Sequence, residues 1–168
     1  MEGLKIDTLT SDMAEEILNI HFSAVHYGDT SSYYSETILG EWSPGVTQER
    51  IDEFKNRLQG DGAQGIVARI GGKAVGFGIF VPSKSMVGAV YVRASYTGMG
   101  IGGLILKRIE EMALSARCHK LFLDASLNAR RFYMDHGYKV IEKASHELPS
   151  GVIMECAKME KSLAKRDN

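Results

Sequence analysis

The chain has 168 residues, 44% of them hydrophobic and 24% charged, with a formal net charge of −1. That length fits one domain over residues 1–168 with a core of its own, and the near-neutral charge removes any global attraction to nucleic acid or to an anionic membrane. No apolar run approaches the ~20 residues of a membrane span, and Met1-Glu2-Gly3-Leu4-Lys5 lacks the apolar core of a secretion signal, so a cytoplasmic location is expected.

Residues 3–8 alternate enough to form a first strand. Ser11 is expected to cap a helix over 12–27, in which Met13, Ile17, Ile20 and Ala24 recur at helical spacing. A polar, aromatic stretch over 28–45 follows, holding Tyr33, Tyr34 and Trp42 and broken by Pro44-Gly45. Thr47 then caps a second helix to about Leu58, with Ile51, Phe54 and Leu58 as its apolar stripe. The middle of the chain reads as strands at 65–70 and 73–81, joined by the hairpin signal Gly71-Gly72, and a third at 87–92 after a loop over 82–86.

The glycine-rich run Gly98-Met99-Gly100-Ile101-Gly102-Gly103 comes next and opens a helix over 102–116 with a broad apolar face. A short strand at 121–125 and a short helix at 128–136, ended by Gly137, lead to a final hairpin of 139–148 and 151–158. The order β-α-α-β-β-β-α-β-α-β-β predicts a mixed α+β or α/β sheet, parallel where a helix links two strands. Cys118 and Cys156 lack partners at metal-ligand spacing and are expected to be buried thiols in a reducing compartment. The basic ending over 158–166, interleaved with Met and Glu, reads as a solvated tail.

A strand that runs into a glycine turn and then a helix is a phosphate-binding arrangement, because the helix start offers unpaired N–H groups and glycines let an anion approach. Gly98, Gly100 and Gly103 also satisfy the dinucleotide pattern, with Asp124 as the acid on a following strand. The remainder after the loop is too short for the further βα units that such a domain requires.

Residues 91–102, Tyr-Val-Arg-Ala-Ser-Tyr-Thr-Gly-Met-Gly-Ile-Gly, resemble the acetyl-CoA motif of the GNAT family, the Gcn5-related N-acetyltransferases. Thr97 departs from that motif's usual Arg or Gln and Ala94 from its common Pro, which leaves Arg93 or Lys107 as candidates to supply the missing charge. Residues 125–138, with Ala129, Phe132-Tyr133 and Gly137-Tyr138, are similar to the family's other recurrent segment; Asn128 is offset by two from the Asn common at Ser126. The resemblance implies a mostly antiparallel, twisted sheet of about seven strands, with a parallel pair splayed at the cofactor site and about four flanking helices. It implies acetyl-CoA as co-substrate and no metal, with direct acetyl transfer to a primary amine of a small molecule or peptide. A non-catalytic acyl-CoA-binding module on the same fold is the alternative.

By the same resemblance, backbone groups of Val90, Tyr91 and Val92 hold the pantetheine arm and the acetyl carbonyl. Thr97, Gly98, Met99, Gly100, Ile101, Gly102 and Gly103 hold the pyrophosphate. Tyr133 takes the position of the family's frequent general acid, Phe132 is read as core, and Asn128 either bonds the pantetheine amides or caps its helix. The region 87–138 is then the cofactor core and 1–60 the variable, acceptor-side region. Tyr33, Glu36, Glu41 and Trp42 are the acceptor-site candidates there. His26 and Asp29 are further candidate bases, with Tyr27 and Tyr34 completing an aromatic wall. His119, His136 and His146 receive no role. Homodimers recur among proteins of this kind, and neither nucleic acid nor membrane is expected as a partner.

Overall fold

In the computed structural model, which describes residues 3–60 and 62–163, strands and helices follow the hydrophobic periods of the chain. β1 (Leu4–Thr8) leads through a 3-10 turn at Ser11–Met13 into α1 (Ala14–Tyr27). Ser11 opens that turn instead of capping the helix, and Thr10 before it makes no side-chain cap bond, its hydroxyl donating to the Asp12 carboxylate. α1 buries Ala14, Ile17, Leu18, Ile20 and Val25, one stripe of a 3.6-residue period. α2 (Glu36–Trp42) lies in the aromatic stretch for which no element is expected. Ser35 caps it, accepting from the Ile38 N–H at 3.4 Å, and it buries Leu39. Seven residues with one buried position carry too little periodicity to be recognised in sequence. α3 (Gln48–Gly60) starts after the expected cap Thr47, which accepts from the Arg50 N–H at 3.4 Å.

β2 (Gln64–Ile70) and β3 (Lys73–Val81) form the expected hairpin, with Gly71 and Gly72 both at positive φ, the requirement of a type I′ turn. β4 (Met86–Val92), α4 (Ile101–Ser115) and β5 (Lys120–Ser126) make the strand-helix-strand crossover. α5 (Arg130–Asp135) begins two residues later than predicted, so Asn128 lies in the preceding turn and caps nothing. Its end is a Schellman motif: Gly137 N–H donates to Met134 O and Tyr138 N–H to Tyr133 O, both at 3.0 Å. β6 (Lys139–Glu147) and β7 (Ile153–Ser162) are the final hairpin. The basic residues from Lys158 to Ser162 belong to β7 rather than to a tail; Lys165 and Arg166, like Met1 and Glu2, lie outside the described residues.

The seven strands form one sheet in the order β1-β2-β3-β4-β5-β7-β6, and β4 with β5 is its parallel pair. This is the expected mixed α/β architecture, with five α-helices instead of about four. α4 and α5 cover one face, where Ile101, Ile105 and Ile109 pack with Val75, Leu121 and Leu123. α1 and α3 cover the other, where Ile17, Ile20 and Phe54 pack with Val67, Phe77 and Ile79. Arg69 of β2 fastens α1 to the sheet through Glu16 at 2.7 and 3.1 Å. Of the two free thiols, Cys156 is buried as expected; Cys118 is half-buried and donates to Lys120 O at 3.0 Å. Among the described residues no helix is long and apolar enough to cross a membrane.

α4 lies close to the sheet because β3 offers it glycines. A Cβ at Gly78 would stand 2.5 Å from Ile105 Cγ2 and 2.7 Å from Ile109 Cδ1. Gly78→Val should therefore lower unfolding stability by about 1–3 kcal/mol, the usual cost of overpacking, read as a lower urea midpoint with unchanged slope.

Candidate active site

The parallel pair is where the sheet opens. β4 and β5 share one paired position, Met86 with Phe122, supported by the Phe122 N–H donating to Ser85 O at 2.9 Å. On the other side of β4, Val87 pairs with Phe80 and Ala89 with Ile79, which leaves Gly88 as an extra residue. Such a bulge bends the strand that carries it and disrupts the ladder. Beyond Met86 the β5-facing backbone of β4 has no strand partner. A cleft of about 960 Å³ occupies the gap, lined by Met86 to Val92, the glycine loop apart from the exposed Met99, Asn128, Phe132 and Tyr133. That volume suits a sizeable organic ligand.

One end of the cleft is the start of α4. Gly98 and Gly100 have φ of 75° and 76°, a region costly for any side chain, and nothing stands within 4 Å of where their Cβ atoms would be. Gly102 and Gly103 serve a different purpose: a Cβ there would meet Phe132 Cζ at 3.3 Å and His136 Nε2 at 2.8 Å. These two glycines let α5 close against α4. The α4 cap, Gly100, has no side-chain hydrogen bond, so the first N–H groups of the helix face the cleft unsatisfied. Thr97 donates its hydroxyl hydrogen to Ala94 O at 2.9 Å and has none left for an anion in that rotamer. Arg93 donates to Ala74 O at 2.9 Å and turns to a different hollow, beside Glu15 and Glu16. Neither Arg93 nor Lys107 lines the cleft; the imidazole beside the loop is His136, its Nδ1 2.8 Å from Phe132 O.

Midway along the cleft, Tyr133 is 7% exposed and its hydroxyl has no hydrogen-bond partner among the described residues. Burial, with a smaller contribution from Tyr91, pushes this phenol well above its ordinary pKa, so it stays protonated. Asn128 donates to Asp29 at 3.2 Å, while its Oδ1 is buried without a partner. An unpaired buried acceptor costs about 1–3 kcal/mol, and a ligand N–H in the cleft would satisfy it.

The acceptor-side candidates divide. Trp42 lines the cleft; Tyr33, Glu36 and Glu41 do not. Tyr33 is half-exposed, and Glu41 instead accepts from the Ser150 N–H at 3.0 Å, which ties α2 to the β6–β7 turn; the Ser150 side chain first and this N–H second lower its pKa. Tyr34 is a buried brace, donating to Glu155 O at 2.6 Å and accepting from the Leu127 N–H at 2.8 Å. His26 donates through Nε2 to Ser43 O at 2.7 Å, and Tyr27 is 72% exposed. Asp29 lines the cleft, held by Asn128. Among the lining residues not singled out as site residues are Asp124, beyond its place in the dinucleotide pattern, His146 and Cys156. Their signal is absent from any local motif, because β6 and β7 bring them together only in the folded sheet.

Behind Trp42 lies a neutral network. The ring of His21 stands edge-on to Tyr91 at 4.5 Å and to Trp42 at 6.0 Å, with its Nδ1 3.0 Å from Ser43 Oγ. Burial pushes Tyr91 up to about 12. Burial, then the charges of Arg50, Arg57 and His26, lowers His21 from 6.5 to about 4.

The acetyltransferase (GNAT) family model matches residues 30–138. The Bacillus subtilis (strain 168) protein named Uncharacterized N-acetyltransferase YjcF is 31% identical over 113 residues, which cover 66% of this chain and 77% of that protein. The fold is similar to the GCN5-related N-acetyltransferase of Rhodopseudomonas palustris, with TM-score 0.84, 23% identity and coverage of 97% and 98% of the two chains. It is also similar to the PaiA N-acetyltransferase of Thermoplasma acidophilum in complex with coenzyme A, with TM-score 0.73, 18% identity and coverage of 95% and 99%. At these identities the two structures bear on fold alone.

The low pKa of His21 has a consequence for stability. Between pH 6.5 and 4 the unfolded chain binds a proton that the folded one refuses, so the stability present above pH 6.5 is lost as pH falls toward 4. The loss should be on the order of 3 kcal/mol. Urea unfolding at pH 7 and pH 4.5 should show it, and His21→Asn should flatten the dependence.

Proposed function

The chain belongs to the GNAT acetyltransferase family, and from that premise we propose that it moves an acetyl group from acetyl-CoA directly to a primary amine of a small molecule or peptide. The observation that carries this reading is the gap between β4 and β5, open at one end to the unpaired start of α4 and holding the Tyr133 hydroxyl. The family transfers acetyl groups, and a similar fold was solved with coenzyme A.

The residues present fit that ligand. The N–H groups from Gly98 to Gly103 receive the pyrophosphate, with the positive end of the α4 dipole behind them. The unpaired edge of Val90, Tyr91 and Val92 bonds the pantetheine arm as a strand would, and polarises the acetyl carbonyl. The orphaned Oδ1 of Asn128 accepts from an amide of the arm. Bound acetyl-CoA supplies an activated acyl group; the chain's own residues orient it and move protons. Residues 87–138 form the cofactor core, and the helices before residue 60 form the acceptor side.

Tyr133 is the general acid. Its hydroxyl, uncommitted and kept protonated by burial, gives its proton to the departing sulfur. Direct transfer is favoured over an acetyl-enzyme by the state of Cys156, the thiol on the cleft wall. Burial, followed by the charge of Asp124, pushes that thiol up to about 11, so it stays protonated and a poor nucleophile near neutral pH.

Acetyl-CoA should raise the melting temperature of the protein, and Gly100→Glu should abolish the shift, because it sets a side chain at φ 76° and a negative charge against the pyrophosphate. A retained shift would show that the loop does not hold the cofactor. Tyr133→Phe should keep the shift and lower turnover about 100-fold, read as release of free CoA thiol. A shift without turnover of any amine would favour the acyl-CoA-binding module instead.

A further inference from the structure

The proposed function leaves one role unfilled: something must hold the acceptor amine and remove its proton. We infer that Asp124 of β5 and His146 of β6 form the acceptor site, the carboxylate binding the substrate's ammonium group and the imidazole deprotonating it. This inference rests on the acetyl-CoA reading above.

Position is the first argument. Phe122 is the last residue of β5 paired with β4, so Asp124, two residues on, faces the strand where the bulge at Gly88 opens the gap. Alternation along β5 puts Leu123 and Ala125 in the α4 core and turns Asp124 and Ser126 to the opposite face, the one that Trp42 flanks. The β6–β7 hairpin brings His146 to the same place, its Nε2 3.6 Å from Asp124 Oδ2. Both side chains line the cleft and neither makes a hydrogen bond elsewhere among the described residues.

Charge is the second. Among the described residues, no Lys or Arg lines the cleft. Lys158, the β7 residue paired with Asp124, is turned to Glu142, its Nζ 3.4 Å from Oε1. The other titratable groups here are the protonated thiol of Cys156 and Asp29, which Asn128 holds. At the far end, His136 is bound to Phe132 O. An acceptor carrying a carboxylate beside its amine would find no cation and would meet Asp124. The site therefore selects a cationic amine without a neighbouring acid, its carbon skeleton lying on Trp42.

The step balances as follows. His146 takes one proton from the ammonium group, and the freed nitrogen bonds to the thioester carbonyl carbon as the carbon–sulfur bond breaks. The sulfur leaves with the electron pair and receives the Tyr133 proton, which the second proton from nitrogen replaces. His146, with its side chain 54% exposed, passes the first proton to water.

Phenethylamine and phenylalanine test the pair, since they share ring and amine and differ by the carboxylate. Wild type should acetylate phenethylamine with kcat/KM at least about 100-fold above phenylalanine. His146→Gln should lower kcat about 100-fold with little change in KM, and should remove the acidic limb of the kcat/KM pH profile. Asp124→Asn should raise KM for phenethylamine at least about tenfold and narrow the discrimination. Both variants should keep the wild-type melting shift with acetyl-CoA, which separates a lost base from a lost fold. Unchanged kinetics and pH profile in both variants, equal use of the two amines, or no turnover by a wild type that binds acetyl-CoA would each overturn the assignment. Absence of the wild-type shift would overturn the proposed function itself, and this inference with it.

Discussion

β4 and β5 are neighbours that pair once and then part. A fully zipped sheet has no room for a ligand, and a fully open one has no support for its strands. The bulge at Gly88 resolves this conflict locally: β4 stays bonded to β3 on one side while its other edge is released. The anchors on either side are strong. β3 holds β4 along its length, and β7 pairs with every residue of β5 from Lys120 to Ser126. The gap is therefore a feature of the sheet itself, and α4 and α5 are set beside it by their own packing. Gly76 and Gly78 of β3 bring α4 down onto the sheet, and Gly102 and Gly103 bring α5 against α4.

The same geometry decides how an anion is received. Among the described residues no Lys or Arg lines the cleft at the glycine loop, where the basic side chain is the imidazole of His136; Thr97 is bonded into its own turn and Arg93 faces away. The start of α4 is left as the positive element, acting through N–H groups and the helix dipole. Backbone donors are fixed by the fold and lose no rotamer freedom on binding, which offsets part of what a missing Arg or Gln would have contributed. The motif's first position can vary for that reason, while the φ of Gly98 and Gly100 cannot.

Strong local periods made most of the fold legible. The stripe of α1, the Gly71-Gly72 hairpin, the strand-glycine-helix junction at α4 and the Gly137 cap each rest on residues near in sequence. What escaped recognition was short or distant. α2 has a cap and one buried side chain, and Asn128, read as a helix cap or as a partner of the pantetheine amides, lies in the turn before α5. The meeting of Asp124, His146 and Cys156 depends on β7 entering between β5 and β6, a strand order that no local pattern encodes. Glu41 shows the converse. It stands near Trp42 in sequence, yet its carboxylate is spent on the Ser150 N–H, outside the cleft.

The two walls of the acceptor half differ in a way that matters for a proton transfer. On the α1–α2 side the polar groups behind Trp42 are bonded to one another or to backbone: Ser43 with His21 and His26, Tyr34 with Glu155 and Leu127. Burial keeps His21 unprotonated and Tyr91 protonated across the physiological range. The cleft-lining carboxylate of this wall, Asp29, is held by Asn128, and the rest of the wall offers shape and aromatic surface. The opposite wall, from β5 and β6, carries the carboxylate and the half-exposed imidazole. On the proposed reading the arrangement orients an ammonium group by contrast, drawn to one side and packed by the other, so that its nitrogen approaches the gap where the thioester lies. The neutrality of the His21 network is thus as much a part of the site as the charge of Asp124.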